Sequence, residues 1–325
     1  MRPILSCAAL ALLAAAPACA PSLVRPAPLL PRSAWVSPRY REHPLVGRIW
    51  DERQHRWIGE RALDAALRQA DFVLLGETHD NLDDHRLEAR LVRSVAAGAR
   101  RPALAFEMLS SDQQAEVDAA LARHPGDPDA IAAAVDWERS GWPPFQEYRP
   151  VFAAGLAAHL PIVAADLSDA QALAVMHFGR AALSQATAKL LGPLPPKEER
   201  AWMKEMFRDH CEALPRALLE PMVLAQRARN AQLASRLVAA GKDGAILVTG
   251  SGHARTDRGV PAILARLAPG KSVVAVGPVE VRPRALSPAD YRGTAAHLPY
   301  DFVVFTPAAA RQDPCSKLRA QVWSI

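Results

Sequence analysis

The stretch Asp71–Glu88, DFVLLGETHDNLDDHRLE, constrains the fold more than any other part of the chain. Phe72–Leu75 is an unbroken apolar run, turned at Gly76 and ended abruptly by Glu77, His79 and Asp80. Short continuous apolar runs, as opposed to alternating ones, mark parallel strands covered on both faces. Open α/β sheets bind ligands outside the carboxyl ends of their strands. A carboxylate and an imidazole just past such a run therefore stand where a site is expected.

The construction recurs. Ala103–Phe106 runs into Glu107, Pro161–Ala165 into Asp166, and Gly244–Thr249 into the turn Gly250-Ser251-Gly252-His253. Ser272–Val276 and Phe302–Phe305 read as late strands at the sheet edge. Helical patterns lie between the runs. One covers Gly59–Gln69; another, capped by Asp80 or Asn81, reaches about Ala97 with Leu87, Leu91, Val92 and Val95 on one face. Asp83 and Asp84 fall in its first turn, where the helix dipole favours acids. Ser168–Arg236 is helical almost throughout and too long for one crossover, so 168–240 is expected to be a helical insertion over the sheet. Alternating strands and helices predict an α/β fold: a mainly parallel sheet with helices on both faces, plus that helical cap.

The termini frame this domain, taken as 48–310. Arg2, the apolar run Ile4–Ala16 and the small residues through Ala20 have the order of a secretory signal, which assigns 1–20 to it and predicts export to a bacterial cell envelope. Cys19 is a candidate for lipidation, which would anchor the chain to a membrane. Residues 21–47 are proline-rich and read as a tether with an extended lead-in; 311–325 read as a tail. Cys7 would leave with the signal, and in an oxidising compartment Cys211 and Cys315 are the economical disulfide. The formal net charge is +5, but the basic residues are scattered with no block interleaved with aromatics, so nucleic acid is not an expected partner.

Glu77, His79, Glu107 and His253 are the candidate catalytic residues, with Asp166 more readily a helix cap. Glu77, His79 and His253 have the donor types for a divalent metal that activates water. The same set suits a general acid–base pair or a polar nest around a ligand carboxylate. GxSxG and HExxH patterns are absent from the sequence. The third glycine of a dinucleotide loop starting at Gly250 would fall on Arg255, so Gly250 and Gly252 are read as letting the turn aim His253. Arg229 and Arg255 are candidate anion partners. His85 and Glu88 share a helical face and either point back to the strand ends or pair on the surface. Tyr148 with the Trp137/Trp142 loop is core, or a surface for a planar ligand.

Five segments together resemble the ChaN-like haem-binding lipoproteins: GETHDNLDDHR (76–86), FEML (106–109), WERSGWPPFQEYRP (137–150), HC followed by LP (210–215) and GSGHARTDRGVP (250–261). That family shares a superfamily with erythromycin esterases, TraB proteins and Tiki peptidases. The resemblance spans roughly 48–305. It implies an α/β fold with a helical subdomain, a haem or iron-uptake role on the envelope, haem as cofactor with a tyrosine ligand, and a homodimer. Of Tyr40, Tyr148, Tyr291 and Tyr300, Tyr148 is the expected ligand, with His85, Arg229 and Arg255 as further cofactor-binding candidates. The hydrolytic branches imply the alternative, a metal-dependent esterase, amidase or peptidase centre on Glu77, His79, Glu107 and His253.

Overall fold

A computed structural model describes residues 26–293, 295–311, 313, 315 and 316. The signal sequence, Cys7 and the Cys19 lipidation site lie outside the described residues. Eight strands form one sheet: β1 (Ile49–Asp51), β2 (Arg56–Ile58), β3 (Phe72–Glu77), β4 (Ala103–Ser110), β5 (Ile162–Asp166), β6 (Ala245–Gly250), β7 (Val273–Glu280) and β8 (Phe302–Thr306). Their spatial order is β2-β1-β8-β7-β3-β6-β4-β5. All pairings from β8 through β5 are parallel; β1 runs antiparallel to both β8 and β2.

Among the described residues eleven α-helices accompany the strands: α1 (Glu60–Gln69), α2 (Leu82–Ala96), α3 (Gln114–Arg123), α4 (Pro128–Ala134), α5 (Phe145–Ala157), α6 (Asp169–Phe178), α7 (Gln185–Leu191), α8 (Pro196–Asp209), α9 (Leu219–Ala239), α10 (Ser251–Ala254) and α11 (Val260–Leu267). Successive strand residues face opposite sides of the sheet. Val73 and Leu75 therefore pack with Leu87, Leu91, Val92 and Phe152 of α2 and α5. Phe72 and Leu74 pack with Leu233, Leu237, Ile263 and Leu264 of α9 and α11. No residue of β3 or β6 is exposed, as their unbroken apolar runs require. No helix among the described residues is long and apolar enough to cross a membrane.

Three features differ from the expectations. The late strands are interior: β7 pairs with β3 and β8 with β7, because the short β1–β2 hairpin extends the sheet beyond β8 and leaves β2 and β5 as the edges. Residues 26–47 are not a loose tether. Leu29, Trp35, Leu45 and Val46 are buried, and the Val36 and Ser37 amides donate to Asp83. That contact, not the helix dipole, occupies Asp83. The third is Glu107, which lies within β4 instead of just after it.

Residues 169–239 form a helical lobe, α6 to α9, with α9 returning across the sheet. A disulfide joins Cys211, just after α8, to Cys315, with Cα atoms 5.3 Å apart, and so fixes the chain's end to this lobe.

Candidate functional site at the carboxyl edge of the sheet

Strand order assembles the site. β6 inserts between β3 and β4, so Glu77 stands in register with Gly250, and Phe106 with Val248. Glu77 and Glu107, separated by 30 residues of chain, thus flank the end of one strand.

Glu77 is fully buried. Its Oε1 accepts a hydrogen bond from the Tyr148 hydroxyl at 2.6 Å and lies 2.6 Å from His79 Nδ1; Oε2 lies 3.4 Å from His85 Nε2. Burial alone would raise its pKa, but the His79 hydrogen bond and the nearby imidazoles outweigh it and hold Glu77 below its ordinary value. His79 is the counterpart: burial opposes its charge, yet the hydrogen bond to Glu77 and the fields of Glu107, Glu77 and Asp80 raise it to about 9. Its ring meets Trp142 edge-on at 4.8 Å. Behind Glu77, burial and the charge of Glu77 push the Glu88 carboxyl well above its ordinary value. Burial lowers the pKa of His85. His85 and Glu88 therefore face the strand ends, not the surface.

Glu107 is held by different partners. Its Oε2 accepts from Thr249 Oγ1 at 2.5 Å and from the Gly250 amide at 2.6 Å, and its Oε1 lies 3.3 Å from His253 Nε2. Burial raises Glu107, but the charges of His253 and His79 and the Thr249 hydroxyl overcome it and keep it ionised. On the far side, His253 Nδ1–H donates to Asn230 Oδ1 at 2.6 Å. Asn230 thereby orients the ring and turns Nε2 toward Glu107, with the Gln226 amide nitrogen 3.0 Å from the same atom.

His79 and Glu107 meet over Gly250. A Cβ at Gly250 would sit 2.7 Å from His79 Nε2 and 3.6 Å from Glu107 Oε2, so a side chain there would displace the imidazole while leaving the carboxylate at ordinary contact distance. The result is a protonated imidazole and an ionised carboxylate whose environments push their proton affinities apart, the arrangement of a general acid with a general base. Beyond Glu107 opens a cavity of about 460 Å³ bordered by Ser110, Arg139, Trp142, Asp166 and Arg229.

The remaining candidates are placed as follows. Asp166 does not cap α6; Ser168 does, while Asp166 pairs with Arg229 and is raised by burial to about 6. Arg229 borders the cavity through that pair. Arg255 faces away, bound to Asp257 and Glu205. Tyr148 is 0% exposed and its hydroxyl is committed to Glu77, so as placed it presents nothing to a haem iron. Trp137 is core, against Phe145, Tyr148 and Phe152. Glu77, His79 and His253 do not bring three donor atoms within 4.8 Å of one another; Glu77 turns to His79 and Tyr148 while His253 turns to Glu107 and Asn230. Asn230, Gln226 and Thr249 were missed by sequence reasoning. The one signal for the first two was a pair of polar residues four apart on α9, hence on one face of an otherwise alanine-rich helix.

Residues 63–264 match the family described as haem-binding uptake, Tiki superfamily, ChaN. The chain belongs to that family. Among solved structures, ChaN of Campylobacter jejuni, described for cofacial haem binding, aligns with a TM-score of 0.61 at 18% identity, covering 79% of this chain and 95% of ChaN. The type III effector HopBA1 aligns at 0.41, with 16% identity over 75% of this chain and 91% of its own. An open-conformation mutant of the erythromycin esterase EreC aligns at 0.38, with 14% identity over 79% and 81%. No curated protein matches the sequence.

Proposed function

We propose that the protein is an exported haem-binding protein of the bacterial envelope, anchored through Cys19, and that it holds haem in its helical lobe and not at the sheet edge. One observation carries the placement. Between α6, α7 and α9 lies a cavity of about 860 Å³, within the size range of cofactor sites. Its wall combines apolar Val175, Val223 and Leu224 with His177, Arg180 and Lys189. Imidazole is an ordinary axial ligand for haem iron, and the two cations suit the propionates. Phe178, 71% exposed between two lining residues, adds aromatic surface at the rim. When bound, haem would supply an iron centre for storage or transfer; His177 would hold it and the cations would orient it. Homodimerisation around haem is part of this proposal, on the analogy of the cofacial binding described for ChaN.

The test is a haemin titration followed by absorbance. Saturable binding is expected in the wild type, weakened at least tenfold, about 1.4 kcal/mol, by His177→Ala and unchanged by Tyr148→Phe. Loss in Tyr40→Phe instead, the most exposed tyrosine among the described residues, would keep haem and discard His177. Failure of the wild type to saturate would sink the haem reading.

A second reading is favoured by the pairing of His79 and Glu107 across Gly250: hydrolysis of an ester or amide by acid–base chemistry at the sheet edge. Turnover of chromogenic esters abolished in both His79→Gln and Glu107→Gln would support it.

A further inference from the structure

Away from both regions, three donor side chains converge beside the β1–β2 hairpin. Glu52 and His55 come from its turn, and His297 from the segment leading into β8. Their ligating atoms all lie within 4.8 Å of one another. Glu52 Oε1 is 3.4 Å from His297 Nδ1 and 3.9 Å from His55 Nδ1. The two imidazole rings stack at 5.6 Å. All three residues lie outside the stretch that matches the family, 63–264.

We propose that Glu52, His55 and His297 bind a divalent transition-metal ion through Oε1 and the two Nδ1 atoms. Bonds of about 2.0–2.1 Å in a tetrahedron place donors roughly 3.3 Å apart. The Glu52–His297 separation already meets that, and the exposed His55 ring has about half an ångström to close. The carboxylate is built for the role. Glu52 is 5% exposed, its amide donates to Asp301, and its Oε2 accepts from Trp50 Nε1 at 2.7 Å. That indole fixes the carboxylate from behind, as the outer partners of metal ligands do. Both imidazoles are half exposed or more, so the remaining coordination position opens to solvent. Two imidazoles and one carboxylate select zinc, copper, nickel or ferrous iron over magnesium or calcium.

Arg292 is the rival. Its guanidinium lies 3.1 Å from Glu52 Oε1 and supplies the positive charge that the ion would bring. Metal entry requires it to withdraw, so the ion and the guanidinium compete for one oxygen.

The test uses haem-free, tag-free protein and zinc, in competition with a chromogenic chelator. One ion per chain is expected. Affinity should fall at least tenfold in His55→Ala and in His297→Ala, two surface changes that leave folding intact, and also in Glu52→Gln. It should rise in Arg292→Ala and stay unchanged in His79→Ala and His253→Ala. Magnesium should not bind. No saturable zinc binding in either the wild type or Arg292→Ala would overturn the proposal. So would binding that survives His55→Ala and His297→Ala but is lost with His79 or His253.

Discussion

Glu77 and Glu107 both follow apolar runs in the sheet and both meet an imidazole, yet the two pairs are turned opposite ways. In the first the carboxylate is sealed and the imidazole reaches outward: Glu77 is beneath Tyr148 and His85, while the His79 side chain keeps 35% of its surface. In the second the carboxylate borders the cavity and the imidazole is locked behind it by Asn230. The outward members, His79 and Glu107, are the two that meet over Gly250. One construction used twice, with the carboxylate sealed in one case and bordering the cavity in the other, thus brings the His79 ring and the Glu107 carboxylate to either side of Gly250.

If that division is right, the inward partners carry stability. Glu77→Ala would leave the His79 charge and the Tyr148 hydroxyl without their acceptor. Breaking a buried pair from one side costs about 3–5 kcal/mol, and denaturant unfolding should show a loss of that size. A loss below about 1 kcal/mol would mean that Glu77 is not the anchor of its half. Asn230→Ala tests the other half. It leaves a buried Nδ1–H unpaired, at about 1–3 kcal/mol, and frees the His253 ring, so the ring nitrogens' NMR shifts should move along with the stability. Unaltered ring shifts would remove Asn230 from its positioning role.

The two halves were unequally legible in the sequence. Glu77, His79, Glu107 and His253 stood out because each follows an apolar run, and burial on both faces of a parallel sheet leaves few other ways to write such runs. Their separation into sealed and outward members depends on which strands are neighbours. The insertion of β6 between β3 and β4 is a long-range fact that no local pattern encodes. Asp83, Asp84 and Glu88 illustrate the limit. In sequence they are acids near a helix start, where a dipole explanation suffices. In the fold Asp83 caps the lead-in amides, Asp84 accepts from Thr78, and Glu88 is a buried carboxyl behind Glu77 whose pKa is raised. The β1–β2 hairpin escaped notice because strands of three residues carry no readable period.

The smallest expected effect is the most specific to the outward half. Burial disfavours the His79 charge, but the Glu77 hydrogen bond and the surrounding carboxylates win and raise its pKa to about 9, against about 6.5 in an unfolded chain. Folding therefore strengthens proton binding at His79. The stabilisation is complete below about pH 6.5 and is lost as pH climbs through about 9. A shift of this size on a group partly open to solvent is discounted by screening to about 1 kcal/mol. Glu88, also raised in its pKa, loses stability in the same sense as pH rises above the ordinary carboxyl range, so the wild-type curve alone mixes the two. Subtracting the stability of His79→Gln at each pH isolates the imidazole. The difference should be flat up to about pH 6.5 and decline to nothing by about pH 9. A difference that instead grew with pH would mean that His79 is neutral in the folded protein, and the proton donor over Gly250 would have to be sought elsewhere.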